Sequence, residues 1–249
     1  MNQFRYFLQL AYKGTNYCGW QIQPNGISVQ EKLNEAVRVV FKQHDLETVG
    51  CGRTDTGVHA SDFFAHFDLD HPIKDTEKAT YQLNALLPHD ISIARIITVA
   101  SNAHSRFDAT KREYKYYIHF NKNPFIRETS VYQHLIPDME LMNQATDLLL
   151  QVSDFTSFAK LHGDSKTNIC QLYNARWERT DTGMCFTVCA NRFLRNMVRA
   201  MVGTLLMVGN RKIDLEEFKG IIDAKSRTSA GMSVAAHGLF LTRVEYPYL

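Results

Sequence analysis

The chain has 249 residues, 45% of them hydrophobic, enough to bury the core of one large domain or two of ordinary size. Its formal net charge is only +2, so an anionic partner must be held by a local basic surface rather than by the whole molecule. Five cysteines without a CxxC pair and ten histidines without an HxxxH or HExxH arrangement argue against a disulfide framework and a metal centre, and no window holds the roughly 20 apolar residues of a membrane span.

The opening run, MNQFRYFLQL, alternates like a strand and carries no signal-peptide cleavage region, so a cytoplasmic protein is expected. A strand is predicted over 4–12. Ser28 with Glu31 forms a capping box that opens a helix running to about Phe41, with Val29, Leu33, Ala36, Val37, Val40 and Phe41 at helical spacing. Short strands follow near 48–51 and 63–69, then a helix after Asp75 that stops before Pro88, then a strand over 91–99. This β-α-β-β-α-β order predicts a ferredoxin-like half. The second half reads as a decorated version of the first. It has a strand over 113–120, a helix over 138–151, and two strands, 175–179 and 184–190, across the Asp181-Thr182-Gly183 turn. A long helix from Phe193, a helix capped by Asp214 and Glu217, and a closing strand over 239–246 complete it. The expectation is an α+β chain of two ferredoxin-like halves with antiparallel sheets packed around a central cleft, divided into 1–105 and 106–249.

The stretch richest in chemistry is Cys51-Gly52-Arg53-Thr54-Asp55-Thr56-Gly57-Val58-His59-Ala60, between two short strands. Its glycines permit sharp turns and close approach of a ligand, and between them stand a cation, a hydroxyl and a carboxylate. Spacing alone also allows an Asp-Thr-Gly turn beside a solvated arginine. In the helix predicted from Phe193, Arg192, Arg195 and Arg199 fall on one stripe with no Asp or Glu between Asn191 and Lys212 to offset them, which suggests that anions from elsewhere lie against it.

The loop resembles the GRTDAGVHA signature of the tRNA pseudouridine synthase A family. Further segments resemble that family in the same order: Gly19-Trp20-Gln21 with Ser28-Val29-Gln30, Arg112-Glu113-Tyr114-Lys115-Tyr116, Phe155 to Phe158, Phe193-Leu194 with Met197-Val198-Arg199, and Gly238-Leu239 to Tyr246. Thr56 stands where the family usually has Ala, and Ala235-Ala236 where it commonly has Ala-Pro. These departures leave the reaction type intact and bear on substrate range.

The resemblance implies an isomerase that converts uridine to pseudouridine at positions 38, 39 and 40 of the tRNA anticodon stem-loop, as a homodimer and without metal or organic cofactor. Asp55 is implied as the nucleophile, attacking either ribose C1′ or uracil C6, with Arg199 set against it to favour its ionised form. Tyr114 is implied to stack on the target base and relay the C5 proton. Arg53 would fill the gap left when the base is extruded. Arg195, Arg112 and Lys115 are further substrate-binding candidates, and Lys111, Arg112, Lys115, Arg211 and Lys212 are candidates for phosphate contacts, with a solvated surface as the equal alternative. A catalytically idle RNA-binding relative is the alternative, disfavoured by the presence of Asp55, Tyr114 and Arg199 together.

Overall fold

The computed structural model describes residues 4–160 and 166–249. Strand β1, Phe4–Tyr12, buries Tyr6, Phe7, Leu8, Leu10 and Tyr12. Helix α1, Val29–Phe41, opens on the capping box predicted from Ser28 and Glu31, and buries Val29, Leu33, Ala36 and Val37 along one face. Strand β2, Val49–Gly50, is only two residues long, and β3, His59–Leu69, extends four residues further toward the N-terminus than predicted. Helix α2, Thr76–Leu86, is capped by the Asp75 side chain and packs along β4, Ile91–Thr98. Strand β1 pairs antiparallel with both β3 and β4, and β2 pairs with β3.

Strand β5, Lys111–His119, begins the next unit, and a short parallel strand β6, Val131–Tyr132, lies against it. Helix α3, Met139–Leu150, packs on β7, Leu172–Arg179, which pairs with β8, Gly183–Ala190. Strand β8 also pairs antiparallel with β5, without a register break. Helices α4, Met197–Gly209, and α5, Leu215–Asp223, precede the final strand β9, Leu239–Glu245. The fold is a mixed α+β arrangement with five α-helices among the described residues. It divides into two compact units, Met1–Thr110 with Leu241–Leu249, and Lys111–Phe240. Strand β9 therefore starts in the second unit and ends in the first.

One sequence expectation needs correction. The helix predicted from Phe193 starts at Met197, because Asn196 adopts a left-handed backbone with φ 66° and breaks the helical path. Arg192 and Arg195 therefore precede α4 and share no helical stripe with Arg199. Nor is α4 amphipathic: apart from Arg199 and Met207 all of its residues are buried, as expected of a helix enclosed by its own unit. No helix among the described residues is long and apolar enough to cross a membrane.

Candidate active site

The carboxylate loop is held by the segment preceding α1. Cys51 N–H donates to the Phe64 carbonyl at 2.7 Å, anchoring the loop where it leaves β2. Trp20 N–H reaches the Thr54 carbonyl at 3.3 Å, and the Tyr12 hydroxyl lies 2.9 Å from Thr54 Oγ1. Asp55 and Val58 close a turn through Val58 N–H to the Asp55 carbonyl at 3.1 Å, and Gly57 takes its left-handed position at φ 79°. Gly57 N–H in turn faces the Tyr17 carbonyl at 3.4 Å. Tyr17 is itself fixed by a hydrogen bond from its hydroxyl to Asp90.

Contact is closest at Gly19. Its φ is +83°, and a Cβ built there would stand 2.3 Å from the Thr54 carbonyl oxygen and 3.2 Å from the Asp55 carbonyl carbon. Two stretches of main chain thus touch directly, and only glycine fits. His59 closes the loop from the other end. It is fully buried and accepts the Gly14 N–H at Nδ1, 2.9 Å away. The result is a loop whose backbone is bound at several points while Asp55 is half-buried and Arg53 exposed. Gly52 differs from Gly19: nothing lies within 4 Å of where its Cβ would be. The packing of this unit gives no reason for a glycine there.

In the second unit, β5 sorts the predicted residues by face. Arg112, Tyr114, Tyr116 and Ile118 point to one side of the strand and Lys115 to the other, since the β5–β8 register runs unbroken. Tyr116 and Ile118 are buried, so Tyr114 is the half-buried end of a core-facing row. Its ring meets the Phe193 ring edge-on, with centroids 5.0 Å apart at 87°. Arg112 donates to the Asn191 carbonyl at 3.1 Å, which ties the start of β5 to the segment leading into α4. Lys115 does not join this group. Arg195 is exposed ahead of the helix, and its carbonyl accepts the Lys160 N–H at 3.1 Å.

Arg199, in the first turn of α4, is the only charged residue of that helix. A cation near a helix N-terminus opposes the helix dipole, so its position calls for compensation. Part of this comes from the Val234 carbonyl, which accepts Arg199 Nε at 2.8 Å, while Val234 N–H donates to the Arg199 carbonyl at 3.2 Å. The neighbouring Ala235 carbonyl accepts the Tyr116 hydroxyl at 2.9 Å. Burial pushes the Tyr116 phenol well above the usual tyrosine range, and the nearby Arg199 charge partly opposes that rise. Tyr116 and Arg199 are therefore both held by the main chain of residues 234–235. The sequence reading singled out Arg199 and missed the Val234 and Ala235 carbonyls, because main-chain acceptors leave no mark on residue type.

The Cys51, Cys170 and Cys185 side chains are buried, and burial pushes the Cys170 thiol up to about 11. Among the described residues no group of three or more His, Cys, Asp or Glu side chains is arranged to hold a metal ion.

Residues 148–247 match the family model described as tRNA pseudouridine synthase. The chain is 51% identical over 248 residues to the tRNA pseudouridine synthase A of Bacteroides fragilis, covering 99% of this chain and 98% of the relative. It is 52% identical to that of Bacteroides thetaiotaomicron over 98% of this chain and 91% of the relative. A protein of the same name from Francisella tularensis subsp. novicida is 38% identical over 97% and 94%.

Proposed function

Because this chain belongs to the tRNA pseudouridine synthase A family and is an isomerase of tRNA uridine, we propose that Asp55, Tyr114 and Arg199 carry its chemistry, on uridines 38, 39 and 40 of the anticodon stem-loop. Converting uridine to pseudouridine breaks the N1–C1′ bond, forms a C5–C1′ bond, and exchanges a proton on C5 for one on N1, with no net oxidation. A side chain must therefore serve as the reactive group. In this reading the Asp55 carboxylate adds either to ribose C1′ or to uracil C6 and leaves again when the base has turned. Tyr114 stacks on the extruded base and takes the proton from C5. Arg199 supplies the cation of the reaction, and Arg53 occupies the space the base vacates. Arg112 and Arg195 contact RNA phosphates. Lys115, on the opposite face of β5 from Tyr114, is read as a contact to a more distant phosphate.

The observation that carries this reading is the clasp of the Asp55 loop. A nucleophile works best when its position is set before the substrate arrives, and main-chain contacts from Gly14, Tyr17, Gly19 and Trp20 do that here. Gly52 supports it further, since a residue with open space at its Cβ leaves room for a ligand to come close. We also read each unit as a ferredoxin-like half. The antiparallel order β4-β1-β3, with β2 on β3, supports this for the first. A cytoplasmic homodimer rests on the family resemblance.

The test is Asp55→Asn, which keeps size and most hydrogen bonding but removes the charge. Tritium release from C5-labelled uridine in tRNA is expected to disappear while tRNA binding persists. Turnover above a tenth of normal would remove Asp55 from the essential role. Mapping pseudouridine in unmodified tRNA by chemical reverse-transcription stops is expected to show positions 38–40, and stops confined elsewhere would overturn that assignment.

A further inference from the structure

Residues 226–235 form an irregular segment between α5 and the last strand, and it is fastened to α4 at successive points. A Cβ on Gly203 would fall 1.9 Å from the Met232 carbonyl oxygen, so the segment crosses the helix in direct main-chain contact. Gly231 N–H donates to Thr204 Oγ1 at 3.0 Å. Ser233 Oγ is bound from two sides, by Arg227 Nη2 at 3.0 Å and by the side-chain amide of Asn196. Arg227 Nη1 also reaches the Ala230 carbonyl at 3.3 Å, bridging the bend it closes. Val234 then pairs with Arg199 through both its carbonyl and its N–H.

The order of these contacts gives Arg227 a role. Engaging Nε with a fixed carbonyl sets the plane of a guanidinium, and the residue before Val234 helps to fix that carbonyl. Ser233, the residue before Val234, is gripped by Arg227 and Asn196. Asn196 is the left-handed residue that starts α4, so one hydroxyl joins the segment to the turn from which Arg199 projects. An arginine here can span the bend and reach Ser233 at the same time, which a shorter side chain cannot.

We propose that Arg227 is a positioning residue: by holding Ser233 it keeps the 226–235 segment where the Val234 carbonyl orients the Arg199 guanidinium for the reaction. This rests on the reading that Arg199 acts in catalysis. Removing the grip leaves the Arg199 charge in place and lets its direction vary. Misplacement on that scale costs about ten- to a hundredfold in the chemical step.

The experiment is a double-mutant cycle on single-turnover pseudouridine formation at saturating enzyme, with tRNA Kd and Tm measured alongside. Arg227→Ala is expected to lower the rate at least tenfold with Kd within twofold, and to add nothing in the Arg199→Ala background. Ser233→Ala, a milder change that keeps the arginine, is expected to lower the rate in the same direction and serves if Arg227→Ala does not fold. Arg227→Lys is expected to restore little, because an ammonium cannot bridge Ala230 and Ser233 together. A rate unchanged in both Arg227→Ala and Ser233→Ala would overturn the proposal, as would a loss that multiplies fully with that of Arg199→Ala. A raised Kd with a reduced salt dependence would instead make Arg227 an RNA contact. If Arg199→Ala itself reacts at the normal rate, it is the catalytic reading of Arg199 that fails.

Discussion

Replacing Gly19 with alanine tests whether the clasp on the Asp55 loop matters to the reaction. The added methyl would start 2.3 Å from the Thr54 carbonyl oxygen, whereas a carbon normally approaches such an oxygen to roughly 3.3 Å. One of the two main chains must therefore retreat by about 1 Å. The stiffer one is the Gly19 stretch, since Gly19 is followed by Trp20, which is buried against Phe63 with ring centroids 4.2 Å apart, and further on by the capped start of α1 at Ser28. The displacement thus falls on Thr54 and Asp55. Alanine at φ +83° adds a cost of roughly 1–2 kcal/mol in stability. With Asp55 acting as proposed, a shift of this size is expected to lower the chemical step about a hundredfold. Single-turnover tritium release at saturating enzyme measures that step, and urea unfolding separates it from lost stability. Gly52→Ala is the companion variant: with nothing within 4 Å of its Cβ it is expected to leave stability within about 0.5 kcal/mol while weakening tRNA binding. A folded Gly19→Ala protein reacting within twofold of the parent rate would refute the reasoning that the clasp positions Asp55.

Arg199→Lys keeps the charge but loses the Nε that the Val234 carbonyl accepts, so the single-turnover rate should fall more than tenfold with tRNA Kd nearly unchanged; recovery of more than half the rate would deny the importance of that contact. Arg195→Ala should reduce the slope of log Kd against log salt by about 0.7–0.9, whereas Arg211→Ala should change it less, because Arg211 is already paired with Asp138 at 3.1 Å. Burial, helped by the Arg5 charge, lowers the His66 imidazole to about 4, so the native state resists a proton that the unfolded chain accepts below about 6.5. Stability is therefore full above pH 6.5 and declines as pH falls toward 4, by at most about 1.4 kcal/mol per pH unit. In His66→Gln the urea midpoint should fall less steeply across that window, and an identical pH dependence would assign the loss to other groups.

Local chemistry made part of this fold readable in advance. The capping boxes at Ser28 and Asp214 place both helix starts, because each is a bargain between residues three apart. The start of α4 was not readable in that way. Phe193, Leu194 and Met197 have the spacing of a helix, but the left-handed turn at Asn196 is held by Ser233, 37 residues away. Strands β2 and β6 escaped or shrank for a similar reason, being two residues long and defined by their partners. The motif draws attention to Asp55, Tyr114 and Arg199, but the contact of Gly19 with Thr54 joins segments with no shared pattern and leaves no such mark.

The division of the chain has a consequence for how it is made. The unit bearing Asp55 is built from both ends of the chain: Thr110 N–H donates to the Glu245 carbonyl at 2.8 Å, Val244 N–H to Asp62 at 3.1 Å, and the Tyr246 ring meets Phe7 at 5.3 Å. On the ribosome, residues 4–110 emerge first and must wait with Phe7 and Phe64 uncovered while residues 111–240 are synthesised, an interval on the order of ten seconds. The Asp55 loop thus belongs to a unit that is complete only after residues 241–249 have been made. A nascent chain halted anywhere before residue 241 carries Asp55 in a unit that lacks its last strand, exposed to chaperones and proteases for as long as the halt lasts.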